Sequence, residues 1–243
     1  AMSASASLPF LYLTETNKPS PLTAPNFCML LRKHIANGRI IKIYQPHMER
    51  IIHFDIEHLD EMGDLCQKTL IVELMGKHSN IIFCDDKNMI LDSIKHVSSH
   101  MSSVREVLPG REYFIPQTQD KLDPLTVDEE TFIEVVCKKP CNISKAIYSS
   151  LTGISPVVAE EVCFRASVDG SDAAQALDEA AQVHLYHTFC RLMDQVREGD
   201  FTPNIIYRGE EPVEYGVFAF QQYGPEYHSV EFGSVSEMLE TYY

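Results

Sequence analysis

The chain has 243 residues, 44% of them hydrophobic, enough for one large domain or two modest ones with a packed core. Its formal net charge of −15 argues against a simple nucleic-acid-binding protein, which usually carries a basic excess. The charge is uneven: residues 1–121 hold 13 Lys and Arg against 14 Asp and Glu, whereas residues 122–243 hold 7 against 21. Any contact with a polyanion is therefore expected in the first half. No apolar run reaches membrane-spanning length, and no basic–apolar–small leader pattern opens the chain. Seven cysteines, odd in number and set mostly in apolar segments, read as reduced thiols and predict a cytoplasmic location. Cys137 and Cys141 form the closest pair, a spacing without nearby histidines that gives little support for metal.

In chain order, Leu8, Phe10 and Tyr12 alternate like the tail of a strand. A helix is predicted from Ala24 to Asn37, capped by Thr23 and stopped by Gly38, with Phe27, Leu30, Leu31, His34 and Ile35 on one stripe. His34 on that stripe reads as a core histidine. The stretch Gly38–Ile56 then forms a hairpin around a turn at Gln45–Glu49, because Pro46 cannot donate within a ladder. Glu49-Arg50 lies at its mouth, with Arg50 sharing strand parity with Ile52 and Phe54. Three more strands, Thr69–Met75, Asn80–Cys84 and Met89–Ile94, are joined by short turns and so predict antiparallel neighbours. The polar stretch QTQDKLD, residues 117–123, marks a domain boundary.

Beyond it the pattern turns helical, over Asp128–Lys138, Ile143–Leu151 and Pro156–Arg165, the last with Ser155 as N-cap. The last two, around Gly153, have the shape of a helix–hairpin–helix whose turn amides can hold a phosphate; packing explains the pair equally well. A long helix is predicted over Asp172–Glu198, then strand-like pieces at Asn204–Tyr207 and Tyr215–Phe220, then a capping box at Ser234–Glu237. The organisation expected is thus a β-rich domain over 1–124, a helical domain over 125–199 and a final segment over 200–243. The chain holds no GxGxxG, Walker-type, HExxH or GxSxG signature. From the residues alone, Glu49-Arg50 is an ordinary exposed ion pair of little worth.

Three segments carry more: APNFCMLLRKHIANGRI, ELMGKHSNIIFCDD, and IKHV continuing to SSVREVLPGREYFIPQTQDKLDP. Through them the chain resembles the amino-terminal part of the NFACT family, that of bacterial RqcH (long called fibronectin-binding protein A) and eukaryotic NEMF. The resemblance implies an α+β fold: an antiparallel β-sandwich-like domain related to that of formamidopyrimidine-DNA glycosylases, followed by a helix–hairpin–helix domain. It also implies that about fifty further residues, with a first copy of the hairpin, precede this chain. Strand edges left bare would then be covered by another copy or another element.

By resemblance, the function is binding of tRNA on a large ribosomal subunit still obstructed by peptidyl-tRNA. There the family promotes untemplated C-terminal tailing, with alanine in bacteria, and the ribosome does the bond-making. No enzymatic activity, cofactor, metal or membrane partner is implied. An Asp-Arg pair in the family corresponds here to Glu49 and Arg50, the implied tRNA-binding residues. Lys77, Lys95 and Arg105 are further candidate RNA contacts in the near-neutral half. The alternatives are a fibronectin-binding adhesin, as the older name has it, or a nucleic-acid-processing protein by fold analogy.

Overall fold

The computed structural model describes residues 1–116 and 120–243; three residues of the expected boundary stretch, 117–119, lie outside the described residues. The chain divides into two compact units, 1–119 and 120–243.

In the first unit, a two-stranded ribbon pairs β1 (Met2–Ala4) with β2 (Pro9–Leu11). Helix α1 (Asn26–Ile35) follows, shorter than expected and without a side-chain cap; Pro25, not Thr23, stands at the N-cap. Then comes a five-stranded antiparallel meander in sequence order: β3 (Arg39–Tyr44), β4 (Ile51–Leu59), β5 (Leu65–Glu73), β6 (Asn80–Cys84) and β7 (Ile90–Ser93). The alternation of β-branched and aromatic residues explains these strands, and each face of the sheet is buried differently. Ile56, Leu70, Val72, Ile81 and Phe83 line one face, where Phe27, Leu30, Leu31 and Ile35 of α1 pack. His34 sits on the same side, its ring 6.0 Å from that of Phe83. Ile51, Ile71, Ile82, Cys84 and Ile90 line the other face, under Val107 and Tyr113 of the following loop. One face is thus covered by α1 together with the β1–β2 ribbon through Ala4 and Leu11, and the other by the loop after β7. At Gly38 a Cβ would lie 2.9 Å from Ile56 Cγ2 and about as close to two carbonyl oxygens, so the step from α1 into β3 needs glycine.

In the second unit, Asp128 caps α2 (Glu129–Phe132), which runs on through a wider turn over Ile133–Cys137. Helices α3 (Ile143–Ser150) and α4 (Pro156–Arg165) flank a turn with Gly153 at φ 75°. The Asn142 side chain caps α3 and that of Ser155 caps α4. Helix α5 (Glu179–Glu198) starts seven residues later than expected because Asp178 takes the N-cap, and Ala174–Ala176 forms a separate 3₁₀ turn. Gly199, at φ 68°, ends it.

A three-stranded antiparallel sheet follows in the order β10–β8–β9, from β8 (Asn204–Arg208), β9 (Glu211–Gly216) and β10 (Tyr227–Glu231). The strand expected at Tyr215–Phe220 lies earlier, leaving Phe218 free to enter the helical core beside Leu185, Phe189 and Leu192. Residues 200–243 therefore belong to the same unit as the helices, where a separate segment was expected. Glu161 pins them there: its fully buried carboxylate accepts from Arg165 Nε and from the Gln221 and Gln222 amides. Ser234 caps the last helix, α6 (Val235–Tyr242).

All seven cysteines are free. Cys137 is fully buried, which pushes its thiol up to about 11. Among the described residues no helix is long and apolar enough to cross a membrane.

Candidate functional site: one end of the first sheet

The meander topology gathers the candidate residues. Strands β3, β5 and β7 end, and β4 and β6 begin, at the same end of the sheet. Glu49 and Arg50 lie in the β3–β4 turn, Lys77 in the β5–β6 turn and Lys95 just after β7. Arg105 reaches that end through its guanidinium, which meets Glu73, the last residue of β5. The opposite end is acidic, with Asp60, Glu61 and Asp64 in one turn and Asp85 and Asp86 in another. This polarity favours a polyanion at the first end and disfavours it at the other.

The β3–β4 turn is fixed by a main-chain bond and a side-chain bond within it. The Glu49 amide donates to the Pro46 carbonyl at 3.1 Å, and Gln45 Nε2 donates to the Glu49 carbonyl at 2.6 Å. His47 adopts φ 49°, a left-handed conformation uncommon outside glycine. Strand β4 begins only at Ile51, so strand parity does not set the directions of Glu49 and Arg50 as the sequence had implied. The Leu74 amide holds the Arg50 carbonyl at 2.8 Å, one rung beyond the Ile51–Glu73 pair. Glu49 is half-buried and Arg50 exposed. Among the described residues no acidic side chain pairs with Arg50. Lys77 is exposed on the neighbouring turn, a single turn of 3₁₀ helix over Gly76–His78.

The other two basic candidates are engaged internally. Lys95 Nζ donates to the carbonyls of Ala4 and Ser79, joining the β1–β2 ribbon to the β5–β6 turn. Around it Asn80 accepts from the Lys95 amide at 3.0 Å and donates to the Lys95 carbonyl at 2.8 Å. Arg105 is ion-paired with Glu73, their side chains 9% and 0% exposed. Its second terminal nitrogen donates to the Phe114 carbonyl at 2.7 Å. The Tyr113 hydroxyl donates to the other Glu73 oxygen at 2.9 Å, and burial beside that carboxylate pushes the phenol far up. Lys95 and Arg105, expected as RNA contacts, tie chain segments together, because each basic head lies within reach of acceptors from other parts of the sequence.

Glu73 itself was missed at the sequence level. A carboxylate in the otherwise apolar run LIVE is the one available signal, since a buried acid needs a partner. His53 is also buried on this face. Its Nδ1 faces the Tyr44 hydroxyl at 3.1 Å and its Nε2 has no partner among the described residues; burial holds its basicity below the ordinary value, with nearby Asp55 opposing.

The chain matches the family model for NFACT N-terminal and middle domains over residues 1–243. The chain belongs to the NFACT family. A relative from Bacillus subtilis, "Rqc2 homolog RqcH", is 35% identical over 243 residues, covering 100% of this chain and 40% of that protein. A Streptococcus suis relative of the same description is 32% identical over 232 residues, covering 95% of this chain and 37% of that one. The chain thus spans about 40% of the length of these curated relatives. Among solved structures, the N-terminal part of the fibronectin/fibrinogen-binding protein of S. suis aligns with TM-score 0.78 and 29% identity, over 99% of this chain and 80% of that one. The fibrinogen-binding protein of Staphylococcus aureus aligns with TM-score 0.81 and 27% identity, over 100% and 81%. These similarities agree with the resemblance read from the three sequence segments and with the mixed α and antiparallel β architecture expected from it.

Proposed function

We propose that this chain is the tRNA-binding portion of a ribosome-associated quality-control factor. In the intact protein it holds tRNA on large ribosomal subunits obstructed by peptidyl-tRNA and promotes untemplated C-terminal tailing, with alanine, in the cytoplasm. The observation that carries this reading is Arg50: exposed, without an acidic partner among the described residues, and set on a turn fixed by main-chain bonds. A guanidinium presents a planar fork of donors suited to a phosphate or a base edge. Lys77 adds a second exposed charge from the adjacent turn. The Glu49 amide and carbonyl help hold the turn, and its half-buried carboxylate can accept from a base or ribose. The chain needs no nucleophile, cofactor or metal in this role, because the ribosome forms the peptide bonds. The Gly153 turn between α3 and α4 acts as a helix–hairpin–helix and offers a second backbone contact.

A second reading, adhesion to fibronectin or fibrinogen, is favoured by the descriptions of the two solved relatives. Equilibrium binding of the intact protein to tRNA, to large subunits and to fibronectin separates the two. Removing one charged, multiply bonded contact costs about 1.5–3 kcal/mol, so Arg50→Ala should weaken tRNA binding roughly ten- to hundredfold. Unchanged tRNA and subunit binding in Arg50→Ala, with fibronectin binding lost, would replace the first reading with the second.

A further inference from the structure

We infer that Glu73, Arg105 and Tyr113 form a buried strut that sets the position of Arg50, so that Arg105 is a positioning residue and not an RNA contact. This inference rests on the reading of Arg50 as a tRNA contact.

The Glu73 side chain is fully buried on the last rung of β5, directly across from Ile51. The next residue, Leu74, holds the Arg50 carbonyl. The backbone of Arg50 therefore hangs from the strand end that Glu73 occupies. A lone carboxylate buried there would be strongly disfavoured, and its two oxygens are matched by Arg105 and by the Tyr113 hydroxyl. Both partners come from the loop after β7, 32 and 40 residues along the chain. Arg105 also lies over the Tyr113 ring, 5.5 Å from its centre, and bonds the Phe114 carbonyl, so loop and sheet end are locked at several points.

Stability alone does not explain a buried ion pair, because well-packed apolar residues of similar volume serve as well or better. Ile51, Ile71 and Ile82 are its apolar neighbours on this face, with His53 and Asn80 the buried polar groups beside them. The buried ion pair stands at the sheet end that carries Arg50. Directional bonds there fix one arrangement of the turn, as a supporting shell does for a contact residue.

The test measures tRNA affinity of the intact protein for the wild type, Arg50→Ala, Arg105→Lys and Tyr113→Phe. Arg105→Lys and Tyr113→Phe are each also combined with Arg50→Ala. All are measured below the melting temperature of every variant, as followed by circular dichroism. Lysine keeps the charge beside Glu73 but loses the fork; phenylalanine keeps the packing and loses one donor. The expected result is a three- to tenfold weakening by each single change and no further weakening when Arg50 is already alanine. That non-additivity marks an effect exerted through Arg50. Additive losses would make Arg105 or Tyr113 a contact in its own right, and unchanged affinity in both folded variants would make the strut merely structural; either overturns the inference. If Arg105→Lys does not fold, Tyr113→Phe decides alone by the same criteria. If Arg50→Ala itself leaves tRNA affinity unchanged, the functional reading fails and takes the inference with it. A full effect of Arg50→Ala with none from the strut variants defeats the inference only.

Discussion

Glu161→Ala should be among the most damaging single changes in the second unit. The Glu161 carboxylate is fully buried and takes Arg165 Nε at 2.6 Å and the Gln221 and Gln222 amides at 3.0–3.1 Å. Each bond to a charged acceptor contributes about 1.5–3 kcal/mol, so the three donors together exceed about 4 kcal/mol. Removing the buried charge relieves its desolvation, and the freed amides can reach water because Gln221 is exposed and Gln222 half-buried. A net cost of about 3 kcal/mol remains, in line with removal of one member of a buried pair. At about 3–4 °C per kcal/mol for a unit of this size, the melting temperature should fall by roughly 10 °C. Glu161→Gln keeps one acceptor oxygen and should fall about half as far. Thermal denaturation followed by tyrosine near-ultraviolet circular dichroism reads the shift, and hydrogen exchange at residues 221–222 reads the local release. A melting temperature within about 2 °C of wild type would show that 200–243 does not depend on this pin.

Other outcomes follow from the same geometry. Burial depresses the basicity of His53, and likewise that of His34, where burial is joined by the nearby Lys33, Lys68 and His58 charges. A histidine that binds its proton more weakly when folded favours unfolding in acid, so stability should be full above the unfolded value near 6.5 and fall as the pH drops from there toward the folded values. Chemical denaturation between pH 5 and 8 checks this, and His53→Gln should flatten the slope. Ser155→Ala removes the cap of α4 and should cost about 1 kcal/mol, measured in urea, with Ser155→Gly milder. Strand β3 is an open edge with Ile40, Ile41 and Ile43 all exposed, so the 243-residue chain should self-associate at high concentration. Sedimentation should show that association reduced by Ile43→Lys.

The strands β4 to β7 were legible because period-two apolar residues and short polar turns leave few alternatives, and α4 because Ser155 caps it as the sequence implies; the Asn142 cap of α3 emerged only from the fold. The start of α5 was not, because the alanine-rich Asp172–Leu177 stretch has helix propensity yet is held in a 3₁₀ turn and a bridge between Asn142 and Ala173. Strand β10 carries Tyr, His, Ser, Val and Glu, nearly all exposed, and so lacks an apolar signature. At the site, Glu49-Arg50 could be chosen only through the family resemblance. The sorting of Arg105 and Lys95 into internal ties needed the fold, since their acceptors lie 9 to 91 residues away in sequence. Basic residues in a near-neutral half all look equally available until those distances close.

The most direct test of the central claim is recovery of RNA with the intact protein isolated from cells, wild type against Arg50→Ala at equal expression. Wild-type protein should bring down tRNA together with large-subunit ribosomal RNA. Arg50→Ala should lose most of the tRNA, by about tenfold or more, while its melting temperature stays within about 1 °C. Equal tRNA recovery by the two proteins would contradict the account.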